Sequence, residues 1–396
     1  MEKQNMNAAS SMHYSVAVVA TMSAGKSTLL NAIIGSRILP SKCESCTSKV
    51  YSIEDRDGAE RFMVRRIENG KATPWEPADP NVMREYNASS AERIELCGDI
   101  KRIKNLSSGQ AVLLYDTPGP NNSLNTSHAK ITEQIIRDSN YCSLICVLEP
   151  PLGSDDEYQL LSFIKSETEK NDAAASILFV VNKTDRFDYE DDSIRKALEA
   201  CRKDLKTDLG FEEVTILPVS SCLALLISLM YQSAVPMGRD EVAALPPGLK
   251  GKPYKRGMIL KSTLSADNQK QLDFLMGKYL RHKRVYASVL KFSPKMKRIF
   301  LRLEAKYKKP RRSSKQILIS DHLYSVDEIE YVRLLSGIPV IEKYLENNLK
   351  KRYRKTSTCA SVEAGSPGQL GAFVGIAAGS AIGGMSGGMN RNNNAH

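Results

Sequence analysis

The sequence offers little from which to build a metal or redox centre. Its five histidines include no closely spaced pair, and Cys43-Glu-Ser-Cys46 is its single CxxC, without the second pair a zinc site needs. The eight cysteines are scattered, with Cys142 and Cys146 in and beside an apolar run. No disulfide framework is expected; reduced thiols in a cytoplasmic setting are. Residues 1–5 (MEKQN) carry no apolar stretch of the signal-peptide kind. No RNA-binding signature is recognisable, and the only internal repeat is a glycine spacing near the C-terminus. A content of 42% hydrophobic and 26% charged residues excludes a collagen-like or wholly disordered chain.

What is present is unevenly distributed. The net charge is +11, yet residues 250–356 hold 28 Lys/Arg against 9 Asp/Glu, and the rest of the chain holds 28 against 36. The C-terminal third is therefore strongly basic and the remainder mildly acidic. A basic region of this kind meets polyanions, nucleic acid or an acidic membrane surface, or is a helix bundle with Lys-rich solvated faces.

The 396 residues are enough for one large domain and an accessory one. Apolar, β-branched runs recur at 14–20 (YSVAVVA), 111–115 (AVLLY), 143–148 (SLICVL), 176–181 (SILFVV) and 214–219 (VTILPV). Helical patterns lie between them, at 27–35, 155–170 and 193–205. Continuous apolar strands alternating with helices predict an α/β fold with a mostly parallel sheet flanked by helices. Residues 238–258 read as a linker or long loop, rich in Pro, Gly and charge. Helical spacing resumes at 260–290. Ser325-Val-Asp-Glu328 is a capping box for a short helix ending at Ser336-Gly337, and a further helix is expected over 339–353. The expected organisation is thus 1–13, a nucleotide-binding domain over 14–237, the linker 238–258, a smaller, mostly helical basic region 259–356, and a Gly-rich apolar tail 357–396. Within that tail, 370–389 is uncharged with glycine at every fourth position from Gly371 to Gly387. It reads as a membrane-spanning helix, a shallowly inserted segment or a flexible tail.

The densest chemistry follows the first strand. In Ala20-Thr-Met-Ser-Ala-Gly25-Lys26-Ser27-Thr28, a small-residue loop leads into a helix N-terminus. Backbone N–H groups over Ser23, Ala24, Gly25, Lys26, Ser27 and Thr28 would cradle a phosphate chain. Lys26 would reach the β- and γ-phosphates and Ser27 would ligate Mg²⁺. Asp116-Thr-Pro-Gly119 follows the next strand; Asp116 is suited to reach Mg²⁺ through water, and the Gly119 N–H to face the γ-phosphate. Asn182-Lys-Thr-Asp185 follows another: Asp185 can accept from guanine N1–H and the exocyclic amine, a donor pair adenine lacks. Asn182 would tie this loop to the phosphate loop, and the Lys183 stem would lie along the base. Ser220-Ser221 falls where a loop closes over guanine O6. Thr47 is the candidate switch threonine, its hydroxyl on Mg²⁺ and its carbonyl on the attacking water; alternatively it only begins the following strand, and Ser45 and Ser48 lie close by. Motifs in this order at strand C-termini predict a P-loop GTPase that binds GTP and GDP.

These residues resemble the dynamin superfamily, specifically bacterial dynamin-like GTPases. The carriers are Ser23-Ala-Gly-Lys-Ser27 with Thr28-Leu-Leu-Asn-Ala-Ile-Ile-Gly35, Leu39-Pro…Thr47, Asp116-Thr-Pro-Gly-Pro-Asn-Asn122, Asn182-Lys-Thr-Asp185 and the long interval between Lys26 and Asp116. The resemblance covers residues 14–235, and Ser336-Gly-Ile-Pro339 is similar to an element these proteins carry after the GTPase core. It implies GTP hydrolysis stimulated when two GTPase domains meet as a homodimer, with binding and remodelling of an acidic membrane, peripherally at its inner face. It also implies that Ser23, with a monovalent cation at the phosphate loop, helps neutralise developing charge. Ser23, Lys26 and Thr47 are then the catalytic set, and Ser27, Thr47 and Asp116 the Mg²⁺ set. Two departures stand out: Ala20 replaces the usual first glycine, and Met22 stands where many eukaryotic members have a catalytic Gln. A thioether cannot orient water. Met22 leaves a GTP-controlled scaffold with slow hydrolysis as one alternative, and the basic stretches Lys278–Lys315 and Lys350–Lys355, which could grip RNA or DNA, leave a nucleic-acid-associated GTPase switch as the other. About 160 residues follow the GTPase core, and a full stalk with a separate membrane domain is not expected within them.

Overall fold

The computed structural model describes residues 13–21, 23–40, 49–106, 110–117, 143–170, 176–187, 193–246, 249, 258–291, 293–307 and 315–363, the last nine (355–363) by backbone only. Met22, Cys43, Cys46, Thr47, Gly119 and the glycine-spaced tail lie outside these residues.

Strand β1 (Tyr14–Ala20) is buried along all seven residues, as an unbroken apolar run requires of a central parallel strand. It pairs in parallel with β7 (Val112–Asp116) on one side and β8 (Ser143–Leu148) on the other. β9 (Ser176–Val181) and β10 (Ile216–Pro218) continue the parallel series outward from β8. The strand-end loops after β1, β7, β9 and β10 therefore open at one edge, where an open α/β sheet binds its ligand.

The interval between Lys26 and Asp116 extends the sheet in the other direction. β2 (Val50–Asp55) runs antiparallel to β7, and β6 (Arg93–Gly98) runs parallel to β2. β3 (Met63–Glu68) follows antiparallel to β6 and carries the two-residue strands β4 (Lys71–Ala72) and β5 (Glu76–Pro77). The result is a ten-stranded sheet, mostly parallel at the core and mixed at its added edge. Helix α2 (Pro80–Ala88) bridges β5 to β6, with Pro80 at a first-turn position where no N–H is needed.

Helix α1 (Lys26–Ile34) buries Leu29, Leu30, Ile33 and Ile34 and ends at Gly35, whose φ of 88° supplies the left-handed cap. α3 (Asp155–Lys170) and α4 (Ser193–Lys203) match the predicted helices, the latter running on into a π turn over Asp204–Asp208. α5 (Ser221–Ser233) is apolar nearly all round because it is covered on several sides: it packs on α1, α7 (Ala266–Arg281) and α10 (Val326–Leu335).

The segment after Ser233 does not begin as a helix at Leu260. Residues Ile259–Lys261 form β12, paired with β11 (Val235–Pro236) and β13 (Gln316–Ile319), and β14 (His322–Ser325) completes a second, four-stranded sheet. Helical spacing at Leu260 is thus overridden by ladder partners on both sides. Short α6 (Arg239–Ala243), α8 (Lys283–Val289) and α9 (Pro294–Tyr307) fill the rest. The capping box forms as predicted: the Ser325 side chain accepts from Glu328 N at 3.2 Å, and Glu328 accepts from Ser325 N at 2.8 Å. α11 (Ile338–Glu363) is the last described element. The chain divides into two units, Met1–Lys351 and Arg352–His396; residues 259–351 belong to the same unit as the large sheet. Among the described residues, no helix is long and apolar enough to cross a membrane.

Candidate active site

The loop between β1 and α1 takes its shape from two left-handed residues, Ser23 (φ 68°) and Gly25 (φ 90°), either side of Ala24. Such alternation turns successive backbone N–H groups toward one point, and a helix N-terminus follows immediately. Ser23 pays a steric penalty that glycine would not, which marks the loop as held by its surroundings. At Gly25, a Cβ would stand 2.5 Å from Asn182 Nδ2. The reason for the close approach is the Asn182 amide, which donates to Ala24 O at 2.9 Å. The predicted link between the two loops is therefore a direct hydrogen bond.

Lys26 and Asp116 form a buried ion pair, and Ser27 Oγ lies 3.4 Å from Asp116 Oδ2. Asp116 is wholly enclosed, and its neighbour Thr117 donates to Val18 O at 2.9 Å, pinning the end of β7 to β1. A hydroxyl and a carboxylate converging beside an ammonium are a hard-oxygen donor set that fits Mg²⁺. Thr47 and Gly119, expected to join them, lie outside the described residues.

The base-side loop is more tightly built than its sequence suggests. Asn182 Oδ1 accepts from Ser221 Oγ at 2.8 Å. Ser220 Oγ donates to Asp185 Oδ1 at 2.6 Å and accepts from Leu223 N at 3.3 Å, so it caps α5 while orienting the carboxylate. Both serines thus face the Asn182–Asp185 loop. Lys183 adopts φ 60° and pairs with Glu149, which also accepts from Arg186 at 3.0 Å.

Four groups outside the nucleotide motifs join this network. Glu149 follows strand β8, where the strand-end rule alone would have placed a candidate. Lys278 on α7 donates to Asp185 O and Phe187 O, both at 2.9 Å. Tyr279 stacks on Tyr286 at 3.5 Å between ring centroids and lies 3.4 Å from the Thr184 hydroxyl; burial pushes its phenol well above the ordinary tyrosine range. Ser336 O accepts from Ser220 N at 2.9 Å. The last three come from the basic helical segment, which therefore forms the floor of the base-side loop.

Residues 16–184 match the sequence model of the dynamin family. Over that stretch, less than half of the chain, it is similar to the GTPase domain of dynamin-family proteins. No curated protein sequence matches the chain. Among solved structures, one of an oligomerised bacterial dynamin pair, described as a mechanism for long-range sensing and tethering of membranes, is 14% identical with a TM-score of 0.42, over 74% of this chain and 42% of that one. A second structure of that pair is 13% identical with a TM-score of 0.42, over 76% and 50%. The G domain of the T. maritima FeoB iron transporter is 15% identical with a TM-score of 0.25, over 53% and 88%. The chain spans half or less of the length of the bacterial dynamin chains.

Proposed function

We propose that the GTPase domain binds GTP along the strand-end edge of the large sheet and that its hydrolysis is activated by self-association and coupled to an acidic membrane. The observation that carries the nucleotide assignment is the chain of contacts Ala24–Asn182–Ser221 and Ser220–Asp185, which joins the phosphate loop and the base-reading carboxylate into one rigid edge. In this reading the backbone N–H groups of Ser23 to Thr28 receive the phosphates, and Lys26 exchanges Asp116 for the β- and γ-phosphate oxygens. Ser27 and Thr47, with Asp116 through water, hold Mg²⁺, which supplies charge neutralisation when bound. The Gly119 N–H faces the γ-phosphate, and the Thr47 carbonyl orients water. Ser23, assisted by a monovalent cation, offsets charge developing between the phosphates. Asp185 reads guanine, the Lys183 stem lies along the base, and Ser220 and Ser221 hold the loop that selects it.

Activation by a homodimer of GTPase domains and peripheral membrane binding by the basic segment and tail deepen this reading. The surplus of 19 positive charges over residues 250–356 supports an anionic partner surface. The family match adds nothing in favour of a nucleic-acid partner. The test is GTPase rate against protein concentration, with and without acidic liposomes, beside the Lys26→Ala variant. The specific rate should rise with concentration and rise further with liposomes, and the variant should be inactive. A rate per molecule independent of both would overturn self-activation and membrane coupling, as would retention on RNA in place of liposomes. Full activity in Lys26→Ala would overturn the site.

A further inference from the structure

The solvent face of α9 is a set of cations around one exposed leucine. Lys297, Arg298, Leu301, Arg302 and Lys306 are all exposed, and their spacing puts them on one side of the helix. Leu301 keeps 40% of its surface open. The opposite side holds the helix in place: Met296, Ile299 and Phe300 are buried, and α9 packs on α10. Its only acidic residue, Glu304, is buried and accepts from the Tyr331 hydroxyl of α10 at 3.3 Å. The one charge on α9 that could neutralise the face is thus turned away from it.

A groove of about 620 Å³ opens along the flank of α9. It is lined by Lys283 and Arg284 of α8, by Lys291 just beyond that helix, and by Glu304, Tyr307 and Tyr331. Among the described residues, none of the lysines and arginines on the face or in the groove forms an ion pair. The arginines at the added edge of the large sheet differ: Arg65 and Arg93 pair with Glu95, and Arg102 with Glu330. Arg298, Arg302 and Lys306 follow one another at intervals of one turn. Like charges at that spacing destabilise a helix, and an anionic partner removes the cost.

The apolar member decides the kind of anion. The phosphate backbone of a nucleic acid engages the cations alone. The boundary between lipid headgroups and acyl chains takes both, with the long cationic stems reaching up to phosphate and the leucine facing hydrocarbon. We propose that the exposed face of α9, with the groove beside α8, is the surface this chain lays on the headgroups of an anionic bilayer. The proposal rests on the membrane coupling proposed above and assigns the contact to one face.

The test is co-sedimentation of the full chain with vesicles of equal parts phosphatidylcholine and phosphatidylserine, and with phosphatidylcholine alone. A lysine or arginine close to an anionic surface contributes about fivefold to binding, so Arg298→Gln/Arg302→Gln should weaken partitioning about tenfold or more. Lys196→Gln/Lys203→Gln, an exposed pair on α4, carries the same change of net charge. It should bind within about twofold of the wild type, because charges that do not face the bilayer are screened. Melting temperature and GTPase rate without vesicles should match the wild type in both. Leu301→Trp adds a fluorophore to a chain whose one tryptophan is Trp75, and the added emission should shift to the blue on the acidic vesicles only. Equal losses in the two double variants, unchanged partitioning in Arg298→Gln/Arg302→Gln, or no blue shift would each overturn the assignment to α9 and leave membrane coupling standing. A wild type that ignores acidic vesicles, or that binds RNA in their place, would overturn both.

Discussion

Ser220 donates to Asp185 at 2.6 Å with the same hydroxyl that caps α5, so one side chain couples a helix start to the carboxylate expected to read guanine. A hydrogen bond to a charged acceptor is worth about 1.5–3 kcal/mol, and a cap about 1 kcal/mol. Ser220→Ala should therefore weaken GTP about tenfold and lower the melting temperature, while Asp185→Asn should erase the preference for GTP over XTP. Competition titrations with a fluorescent guanine nucleotide measure both. Unaltered affinity in Ser220→Ala would show that the carboxylate needs no such support.

Gly337, between α10 and α11, lies against the end of β10. Its φ is +84°, and a Cβ there would stand 2.5 Å from Pro218 O, one residue before the turn that carries Ser220. Gly337→Ala should cost about 1–3 kcal/mol through backbone strain alone and displace the Ser336 carbonyl from Ser220 N. Urea unfolding gives the stability term. A parallel loss of guanine-nucleotide affinity is expected, and a stability change without it would mean the base-side loop does not depend on this contact.

Arg333 and Glu342 form an ion pair enclosed between α10 and α11, with 1% and 5% of their surfaces exposed. Removing one partner strands the other, at a cost of about 3–5 kcal/mol. Arg333→Met and Glu342→Leu should each destabilise strongly, and the double variant Arg333→Met/Glu342→Leu should recover most of the loss. A double-mutant cycle on unfolding free energies checks the coupling.

The Cys222 thiol, on the first turn of α5, is pushed up to about 11 by burial and then by the Asp185 carboxylate. The thiolate is the reactive form, so alkylation must rise with pH until it passes that value. At neutral pH Cys222 should react about a hundredfold more slowly than a free thiol of pKa about 8.5, and Asp185→Asn should speed the reaction. Peptide mapping after timed alkylation across a pH series reads this directly; ordinary reactivity at pH 7 would contradict it.

Much of the site was legible because its residues act close to where they sit in the chain. A strand, a loop that tolerates left-handed backbone and a helix N-terminus occupy 15 residues between Tyr14 and Thr28. The apolar runs announced β1, β7, β8 and β9, and the Ser325–Glu328 box announced α10 within one turn. The outer part of the added edge was not announced, because β3 is mostly half-exposed, β4 and β5 are two residues each, and all three pair antiparallel, without the unbroken apolar pattern of a parallel core strand. Nor was β12, whose Leu260 reads as the start of a helix until β11 and β13 claim its backbone.

By itself, then, the sequence determined the α/β core, the order of the nucleotide motifs and the basic character of the C-terminal third. Those properties depend on local backbone preference, periodicity and charge, which neighbouring residues settle among themselves. Only the tertiary structure decided that Lys278 and Ser336 reach the base-side loop, that Glu149 holds Lys183, and that Glu304 turns inward to Tyr331. Each joins chain segments that the fold alone brings together, and buried donors and acceptors take whichever partner the topology delivers.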